Sequence, residues 1–468
     1  MSETWDAVVI GAGPAGLAAA TLLAEQQARV LLLDEQSAPG GQIYRAIERT
    51  AERPALLSAL GADYEFGATL AKRFRASNAQ HRPGSLVWQI TPQREVWFSQ
   101  GGRSYQVQAE IVILATGAME RPVPLPGWTL PGVMTAGALQ ILLKSSGIVP
   151  NDPVILAGSG PLLYLLAQQC LALGVHPAAV LDTTSRANEW RTLQHLPAAA
   201  RSAEGRRYLA KGLAMKRMLR RSGVPHYRRV SDICIEGTGA VTGVAFRSGG
   251  ANHRLAARVV ALHEGVIPAQ QITRSLGCEH TWHAASRCFQ PLLDDWGNTS
   301  IERILVAGDL GGIVGARAAE HGGRLAALEA LRLIGRIDAA QRDVMAKADR
   351  RGWSAHVAIR RVLDVLYAPR DEILCPDDDV TICRCEEVLA GAVRAVVRQG
   401  CLGPNQAKAF LRAGMGPCQG RLCGPVVTEL IAHARGVSPA DVGYYRIRPP
   451  LKPITVGELA AMESADAG

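Results

Sequence analysis

Long apolar runs are missing from this 468-residue sequence, and their absence excludes a membrane-spanning architecture. No stretch approaches the roughly 18 apolar residues that a bilayer-spanning helix needs. The strand-like run WDAVVI begins already at Trp5, which leaves no room for a basic and apolar leader before it. We therefore predict a cytoplasmic protein without a transmembrane segment, in a compartment that keeps cysteines reduced.

Closely spaced cysteines are also absent from most of the chain. No CxxC or comparable pair precedes Cys383, although the sequence holds ten cysteines. Four scattered thiols lie in apolar runs or too far apart to be read as a redox pair, and we interpret them as small core residues: Cys170, Cys234, Cys278 and Cys288. This pattern excludes a disulfide reductase with a redox-active cysteine pair.

Acidic residues are scarce between positions 191 and 229, where eleven Lys or Arg residues face one acid, Glu204. Apolar residues recur at helical spacing in this segment, at Leu209, Leu213, Met218 and Leu219. The pattern favours an amphipathic helix with a solvated basic face, while docking to an acidic partner or to the cytoplasmic side of an anionic membrane stays open. No aromatic interleaving or binding motif accompanies the charge, so nucleic acid is not an expected partner.

The segment VVIGAGPAGLAAATLLAEQQARVLLLDE near the N-terminus has the pattern of a strand, a glycine turn, a helix and a second strand. The first glycine of GAGPAG permits a tight turn, the second lets a pyrophosphate approach the backbone and the helix N-terminus, and the third allows close helix packing. An acid at the end of the second strand suits the ribose hydroxyls. The residues expected to contact this dinucleotide are Gly11, Gly13, Pro14, Ala15, Gly16, Asp34 and Glu35.

That motif does not decide between FAD and NAD, and two later segments bear on the choice. AEIVILATGAMERPVPLPG is an apolar strand that runs into a glycine turn, and ERILVAGDLGGIVGARAAEHGG is a strand followed by a glycine-rich helix start. Over about the first 335 residues the trio resembles the flavoproteins of the glutathione reductase and thioredoxin reductase type. The resemblance implies FAD, with further contacts from Ala115, Thr116, Gly117, Gly308 and Asp309.

In those flavoproteins the aspartate that matches Asp309 holds the ribityl chain, and the helix after it directs its positive end at the flavin pyrimidine. Gly41 and Gln42, in PGGQIYR, fit a loop that passes close to the flavin, with a plain turn as the alternative.

The segment DPVILAGSGPLLYLLAQQCLALGVHPAAVLD repeats the strand, turn, helix and strand design. Gly158 and Gly160 match the first two glycines, but Leu163 replaces the third. Asp182 at the end of the second strand favours NAD(H) over NADP(H). Occupation by NADH, occupation by another nucleotide and a vestigial fold all stay open.

Four cysteines near the C-terminus form a CxC and a CxxxxC separated by 32 residues. Thiolates suit zinc or iron–sulfur clusters, and zinc sites usually use CxxC. The arrangement resembles the [2Fe–2S] module of bacterioferritin-associated ferredoxin, although the second pair is more widely spaced than in the free-standing ferredoxin. The resemblance implies a cluster bound by Cys383, Cys385, Cys418 and Cys423, with zinc as the alternative.

Nearly the whole chain resembles the α subunit of multisubunit flavin dehydrogenases, a family of opine oxidases, D-hydroxyproline dehydrogenases, dye-linked proline dehydrogenases and hydrogen cyanide synthase. The motifs that carry the resemblance are DEQSAPGGQIYR, ATGAMERPVPLPGW, AGSGPLL, HEGVIPA, GMGPCQGRLCG and RPPLKPITVGELA. It implies an oxidoreductase subunit that receives electrons from an FAD-containing β subunit related to glycine oxidase and sarcosine oxidase. A small third subunit, an FMN where subunits meet, and a quinone or respiratory-chain acceptor are further expectations.

No catalytic residue for substrate oxidation is expected in this chain, and Tyr44 and His321 are the acid–base candidates to test. The rival functions are a free-standing NADH:acceptor oxidoreductase, a hydrogen cyanide synthase subunit, and an assembly subunit whose cofactors are structural.

The expected fold class is α/β, with two dinucleotide-binding domains and a small, mainly helical [2Fe–2S] domain. The expected divisions are residues 1–145 with 285–335 for FAD, 146–284 for the degenerate NAD-like fold, 336–375 for a helical connector, 376–435 for the cluster domain and 436–468 for a tail.

Overall fold

The structure, a computed structural model, describes residues 3–462, so residues 463–468 of the expected tail lie outside the described residues. The elements up to residue 114 are β1 (Glu3–Ile10), α1 (Pro14–Glu25), β2 (Val30–Asp34), α2 (Ile47–Ala51), α3 (Pro54–Leu60), α4 (Ala62–Arg75), β3 (Gln80–Pro83), β4 (Leu86–Ile90), β5 (Glu95–Gln100) and β6 (Arg103–Leu114).

The middle of the chain contains β7 (Ala118–Glu120), β8 (Val133–Thr135), α5 (Ala136–Ser146), β9 (Val154–Ser159), α6 (Pro161–Ala172), β10 (Ala179–Asp182), α7 (Arg186–Leu193), α8 (Leu196–Arg201), α9 (Ala203–Arg221), β11 (His226–Arg228), β12 (Ser231–Glu236), β13 (Gly243–Ser248), β14 (Ala251–Ala256), β15 (Val259–Glu264), β16 (Val266–Pro268), α10 (Gln271–Leu276), β17 (His280–His283) and β18 (Cys288–Pro291). The last part contains β19 (Ile304–Val306), a 3-10 turn (Gly308–Leu310), α11 (Ala316–Leu333), α12 (Ala339–Val357), α13 (Arg360–Leu366), α14 (Asp371–Leu374), β20 (Thr381–Cys383), β21 (Val388–Leu389), α15 (Ala390–Arg398), α16 (Pro404–Leu411), α17 (Gly424–Arg435), α18 (Pro439–Val442) and α19 (Val456–Ala460).

The first sheet has seven strands in the order β3-β2-β1-β6-β5-β4, and β19 also pairs with β6. Strands β1, β2, β6 and β19 pair in parallel, and β2 is buried along its whole length. Continuous apolar strands of this kind require helices on both faces. Helix α11 packs closely on α1, because a Cβ added to Gly323 would lie 2.1 Å from the Ala15 carbonyl oxygen. Helix α11, which lies about 300 residues after α1 in the sequence, is thereby placed beside the first glycine turn.

The second sheet is parallel throughout, in the order β11-β10-β9-β15-β8. The sequence places the start of this fold at residue 146. In the structure the sheet begins earlier, because Val133–Thr135 forms its edge strand β8 and pairs with β15. A three-stranded antiparallel sheet, β12-β13-β14, is inserted before β15.

The basic segment spans the end of α7, all of α8 and all of α9, and the Ser202 side chain caps the start of α9. Leu219 is buried on α9, but Leu213 is 59% exposed on its basic face. The expected helical connector, residues 336–375, contains α12, α13 and α14, with breaks between them.

The last part of the chain packs α15, α16 and α17 around the cysteine-containing loops, and its core continues into the hairpin β17–β18 and the first sheet. The tail then crosses back to β4, where the Leu451 N–H donates to the Trp88 carbonyl at 2.7 Å. Between residues 3 and 462, no helix has both the length and the apolarity to cross a membrane.

Candidate functional site

The predicted dinucleotide turn brings three backbone segments together without room for side chains. Gly11 has φ +104°, and a Cβ on Gly16 would lie 1.8 Å from the Gly11 carbonyl oxygen. Gly41 has φ +60°, and its Cβ would lie 2.8 Å from the Cα of Gly13. The loop at Gly41 is therefore held against the N-terminus of α1, whose free N–H groups can bind a pyrophosphate.

The two acids at the end of β2 have different surroundings. The buried Asp34 carboxylate accepts the Ala12 N–H at 2.5 Å and the Gln36 N–H at 2.6 Å, so it fixes the glycine turn. Glu35 instead forms an ion pair with Lys452 from the tail. No local pattern indicates this pair, because 417 positions separate the two residues.

The second and third flavin segments meet the same turn. The Thr116 hydroxyl is buried and has no hydrogen-bond partner among the described residues. A Cβ on Gly308 would lie 2.8 Å from the Cβ of Ala15, so the β19 segment touches α1 directly. A buried hydroxyl without a partner is costly, and a bound ligand with a polar group would satisfy it.

Asp309 organises the start of α11. Its Oδ1 atom accepts the N–H groups of Val314 and Gly315 at 2.8 and 3.0 Å, while Oδ2 makes no hydrogen bond within residues 3–462. A cavity of about 250 Å³ opens beside this helix start, and its lining includes His283, Gln290, Gly312, Val314, Trp353 and Arg360. The free Asp309 oxygen can accept a hydrogen bond from a polyol chain. The N-terminus of α11, which has no acid in its first turn, favours an electron-rich ring. These residues fit FAD.

Lys144 is a buried residue of this site that the sequence analysis missed. Its Nζ donates to the Gln42 carbonyl at 3.3 Å and to the Gln140 side chain at 2.7 Å. Burial, with the nearby Arg45 charge, lowers the pKa of Lys144 to about 7. The available signal was a lysine that is the one charged residue of helix α5.

The two acid–base candidates have structural partners. Tyr44 is buried, its ring packs where a Gly67 Cβ would be, and burial raises its pKa so that it stays protonated. His321 Nδ1 is 2.8 Å from the Asp349 carboxylate on α12. Neither side chain lines the cavity at the start of α11.

In the second fold, the groups that correspond to dinucleotide contacts have partners within the chain. A Cβ on Gly160 would lie 2.9 Å from the His263 ring. The Asp182 carboxylate accepts the Tyr164 hydroxyl at 2.5 Å and the Thr184 N–H at 2.9 Å, so both oxygens are engaged. Leu163 is fully buried in the apolar core behind the sheet.

The carboxyl edge of the same sheet holds a buried charge pair. Arg370, which follows α13, donates to the Glu264 carboxylate at 2.9 Å, and Ser159 and Thr183 donate to it at 3.0 Å. Dinucleotides bind at the carboxyl edge in folds of this kind. The connector therefore covers the position where a second dinucleotide is expected.

The four predicted ligands form two thiol pairs, one buried and one accessible. Cys383 and Cys423 are buried, whereas Cys385 is exposed and Cys418 half-buried. A hydrogen bond from Cys423, with backbone N–H groups, lowers the pKa of Cys383 to about 6, while desolvation and the adjacent Cys418 thiol raise the pKa of Cys385. A Cβ on Gly416 would lie 2.2 Å from the Cβ of Cys385, so only glycine permits this loop.

Within residues 3–462, no three Cys, His, Asp or Glu side chains are grouped to hold a single metal ion. Two thiolate pairs with backbone N–H donors nevertheless suit the chemistry of a binuclear iron–sulfur centre, in which each iron takes two cysteines. Outside this set, Cys170, Cys278 and Cys288 are buried and Cys234 is half-buried, and burial raises the pKa of each thiol.

Comparison with protein families agrees with this division of the chain. The pyridine nucleotide-disulphide oxidoreductase family matches residues 5–324, and the BFD-like [2Fe-2S] binding domain matches residues 381–433. The protein is thus an FAD-dependent oxidoreductase that also carries a [2Fe–2S] cluster. The predicted fold and these two predicted cofactors are confirmed.

The chain belongs to the family formed by the A subunits of opine oxidases. It is 47% identical to the A subunit of the opine oxidase from Rhizobium meliloti over 97% of this chain and 98% of the relative. It is 34% identical to hydrogen cyanide synthase subunit HcnB from Pseudomonas aeruginosa over 96% of each chain. The L-proline dehydrogenase from P. horikoshii shares the fold, with a TM-score of 0.70 and 19% identity over 97% of this chain and 79% of that one. Its relatives are thus named as subunits of larger enzymes, as the sequence analysis predicts.

Proposed function

We propose that this chain transfers electrons as the α subunit of a hetero-oligomeric flavin dehydrogenase whose substrate is a secondary amine or amino acid of the opine, hydroxyproline or proline type. The observation that carries the proposal is one chain with both a flavin fold and a cluster domain. A flavin exchanges two electrons with its donor and an iron–sulfur centre passes one at a time, so the pair converts between the two modes. The substrate class follows the names of the relatives, opine oxidase above all.

Substrate oxidation takes place, in this proposal, in a partner β subunit of the glycine oxidase and sarcosine oxidase type. The greater identity to opine oxidase than to hydrogen cyanide synthase favours an opine-type substrate. A small third subunit, an FMN at a subunit contact, a quinone or respiratory-chain acceptor and a cytoplasmic location complete the proposal.

The FAD-binding residues proposed are those of the glycine turn, the Gly41 loop and the two later segments. Gly13, Pro14 and Ala15 form the N-terminus of α1, where the pyrophosphate would bind. Gln42 and Gly117 lie in the loops beside this turn. The Oδ2 atom of Asp309 is free to hold a ribityl hydroxyl. The cluster ligands proposed are Cys383, Cys385, Cys418 and Cys423.

Gly16→Ala should abolish FAD retention, because the added Cβ would lie 1.8 Å from the Gly11 carbonyl and must displace the turn. The matched control is Gly212→Ala on α9, where a Cβ meets nothing within 4 Å. Flavin absorbance per chain after gel filtration measures the effect, and circular dichroism checks that the variant is folded. A folded Gly16→Ala protein with full flavin would contradict the assignment.

NADH alone should bleach the flavin slowly or not at all, because Asp182 is engaged and Arg370 covers the sheet edge. Anaerobic mixing with NADH, followed by flavin absorbance, tests this. The control is dithionite, which should bleach the same sample at once. Rapid stoichiometric bleaching by NADH would favour a free-standing NADH:acceptor oxidoreductase.

A further inference from the structure

Three consecutive tail residues, Pro450, Leu451 and Lys452, form a strap across the edge of the first sheet. Leu451 is its anchor. The side chain is 4% exposed and belongs to the core that the first sheet shares with the cluster domain. Its N–H donates to the Trp88 carbonyl on β4 at 2.7 Å. The strap is therefore a fixed part of the first fold.

The cluster domain holds the strap from its other side. The Gln419 side chain, in the CxxxxC loop, donates to the Pro450 carbonyl. The Arg421 guanidinium, in the same loop, donates to the Leu451 carbonyl at 3.3 Å. Because its backbone is bonded on both sides, the strap gives the next residue, Lys452, a defined position.

Lys452 reaches the acid that is assigned to the FAD ribose. Its Nζ forms an ion pair with the Glu35 Oε2 atom, while the Gln36 amide nitrogen is 3.4 Å from Oε1. Each carboxylate oxygen has two lone pairs, so both can still accept a ribose hydroxyl. Burial lowers the pKa of Lys452 and the charge of Asp34 opposes that shift, so the lysine lies near both acids at the end of β2.

This ion pair is too exposed to be explained by fold stability. The Lys452 side chain is 30% exposed and that of Glu35 is 42% exposed, and pairs of this kind add little to the free energy of unfolding. A carboxylate that is already held in one orientation, however, binds a ligand without the cost of ordering its side chain. The pair is thus better suited to ligand binding than to holding the tail.

A buried hydroxyl lies at the same end of β2. The Ser85 N–H donates to the Asp34 carbonyl at 2.8 Å, which holds this residue beside the two acids. Ser85 is 1% exposed, and its hydroxyl has no hydrogen-bond partner within residues 3–462. A ligand with polar groups at this end of the strand would offset the cost of such a hydroxyl.

We propose that the strap closes the adenosine end of the FAD site and that Lys452 is a positioning residue, which holds Glu35 toward the ribose. The consequence is specificity, because FAD carries an adenosine that FMN lacks, so contacts at the end of β2 strengthen the binding of FAD alone. The inference rests on the assignment of Glu35 to FAD. Since the anchor of the strap lies on β4, its position does not require a loaded cluster.

The test is to remove the flavin from the full chain and to titrate it with FAD and with FMN, following flavin fluorescence. Lys452→Met should raise the Kd for FAD about fivefold, the upper range for an exposed ion pair, and change that for FMN less than about twofold. Lys452→Arg keeps the charge and should stay within about twofold of wild type for both flavins. Arg448→Met, which removes an exposed cation from the same tail, is the matched control and should bind FAD like wild type.

Glu35→Gln and the double variant complete a double-mutant cycle. If Lys452 acts through Glu35, Lys452→Met should have no further effect on the Kd for FAD once Glu35 is replaced. The thermal unfolding midpoint is measured as well, because a merely structural role would lower it and weaken both flavins alike.

Wild-type FAD affinity in Lys452→Met, an equal loss of FAD and FMN affinity, or an undiminished effect in the Glu35→Gln background would each overturn the inference. Wild-type FAD affinity in Glu35→Gln would overturn the assignment of Glu35 itself, and the inference with it. The proposed electron transfer to the cluster stands in all of these cases, so its failure is distinguishable.

Discussion

Cys418→Ser is expected to remove the [2Fe–2S] cluster from the purified protein while the FAD stays bound. Cys418 interacts with Cys385, and a serine oxygen is a harder and less acidic ligand than a thiolate. The glycine turn that we assign to FAD packs in one hydrophobic core, and the cysteine loops pack in another. Iron should fall from about two atoms per chain to near none.

Cys375→Ser is the matched control, because that thiol is also half-buried but lies outside the CxC and CxxxxC pattern. Iron, acid-labile sulfide, zinc and flavin are measured on the same preparations. Zinc in place of iron in the wild-type protein would contradict the cluster assignment. Loss of flavin together with the cluster would contradict the separation of the two sites.

The parts of the fold that sequence could predict are those with local signals. The first glycine turn lies between a strand and a helix because GAGPAG removes the side chains that would collide there, and Gly16 shows this most directly. Gly308 and Asp309 were predicted from the resemblance of their segment to known flavoproteins, and the strand, glycines and helix of that segment are themselves a local pattern. The spacing of the cysteines indicated a metal or cluster site, and the preference for a [2Fe–2S] cluster over zinc came from the resemblance to a ferredoxin module.

The parts that could not be predicted depend on contacts between distant positions. Nothing in the residues around Arg370 indicates that it pairs with Glu264, because the ion pair exists only once Ile373 and Leu374 of α14 have packed into the core of the second sheet. Glu35 is similar, since its partner Lys452 belongs to the tail. Aromatic neighbours such as Phe289 and Tyr444 are also brought together only by the docking of the cluster domain on the hairpin.

Leu163 shows how a local rule can name a residue without showing where its side chain lies. In the sequence it replaces the third glycine of the second motif, and in the structure the side chain is buried in the core behind the sheet. We propose that a dinucleotide is opposed there by the contacts of Tyr164 with Asp182 and of Arg370 with Glu264. Those contacts come from a helix and a connector, and neither is part of the glycine motif.

The isolated chain is expected to be inactive toward amines and amino acids, and to support substrate-dependent dye reduction only after assembly with the flavoprotein β subunit. Tyr44 and His321, the acid–base candidates, do not line the cavity at the flavin end, and the titratable residues that do, His283 and Asp364, are engaged with Ser286 and Arg360. The test is to co-express the chain with a flavoprotein β subunit and to isolate the assembly by gel filtration. Dye reduction is then measured with opines and with cyclic amino acids. Full activity of the isolated chain would contradict the proposal.

The partner should contact the accessible side of the cluster, because a relay centre must lie near the boundary that it serves. Exposed apolar side chains, Phe410 at 59% and Met415 at 50%, lie on the cluster domain, and Met415 adjoins Gly416, which packs against the exposed Cys385. Lasting protein contacts bury apolar surface of this kind. Phe410→Glu should therefore weaken assembly and coupled dye reduction while preserving both cofactors. Val344→Glu, which changes a similarly exposed apolar residue on α12, should leave assembly intact; equal losses from both variants would place the contact elsewhere.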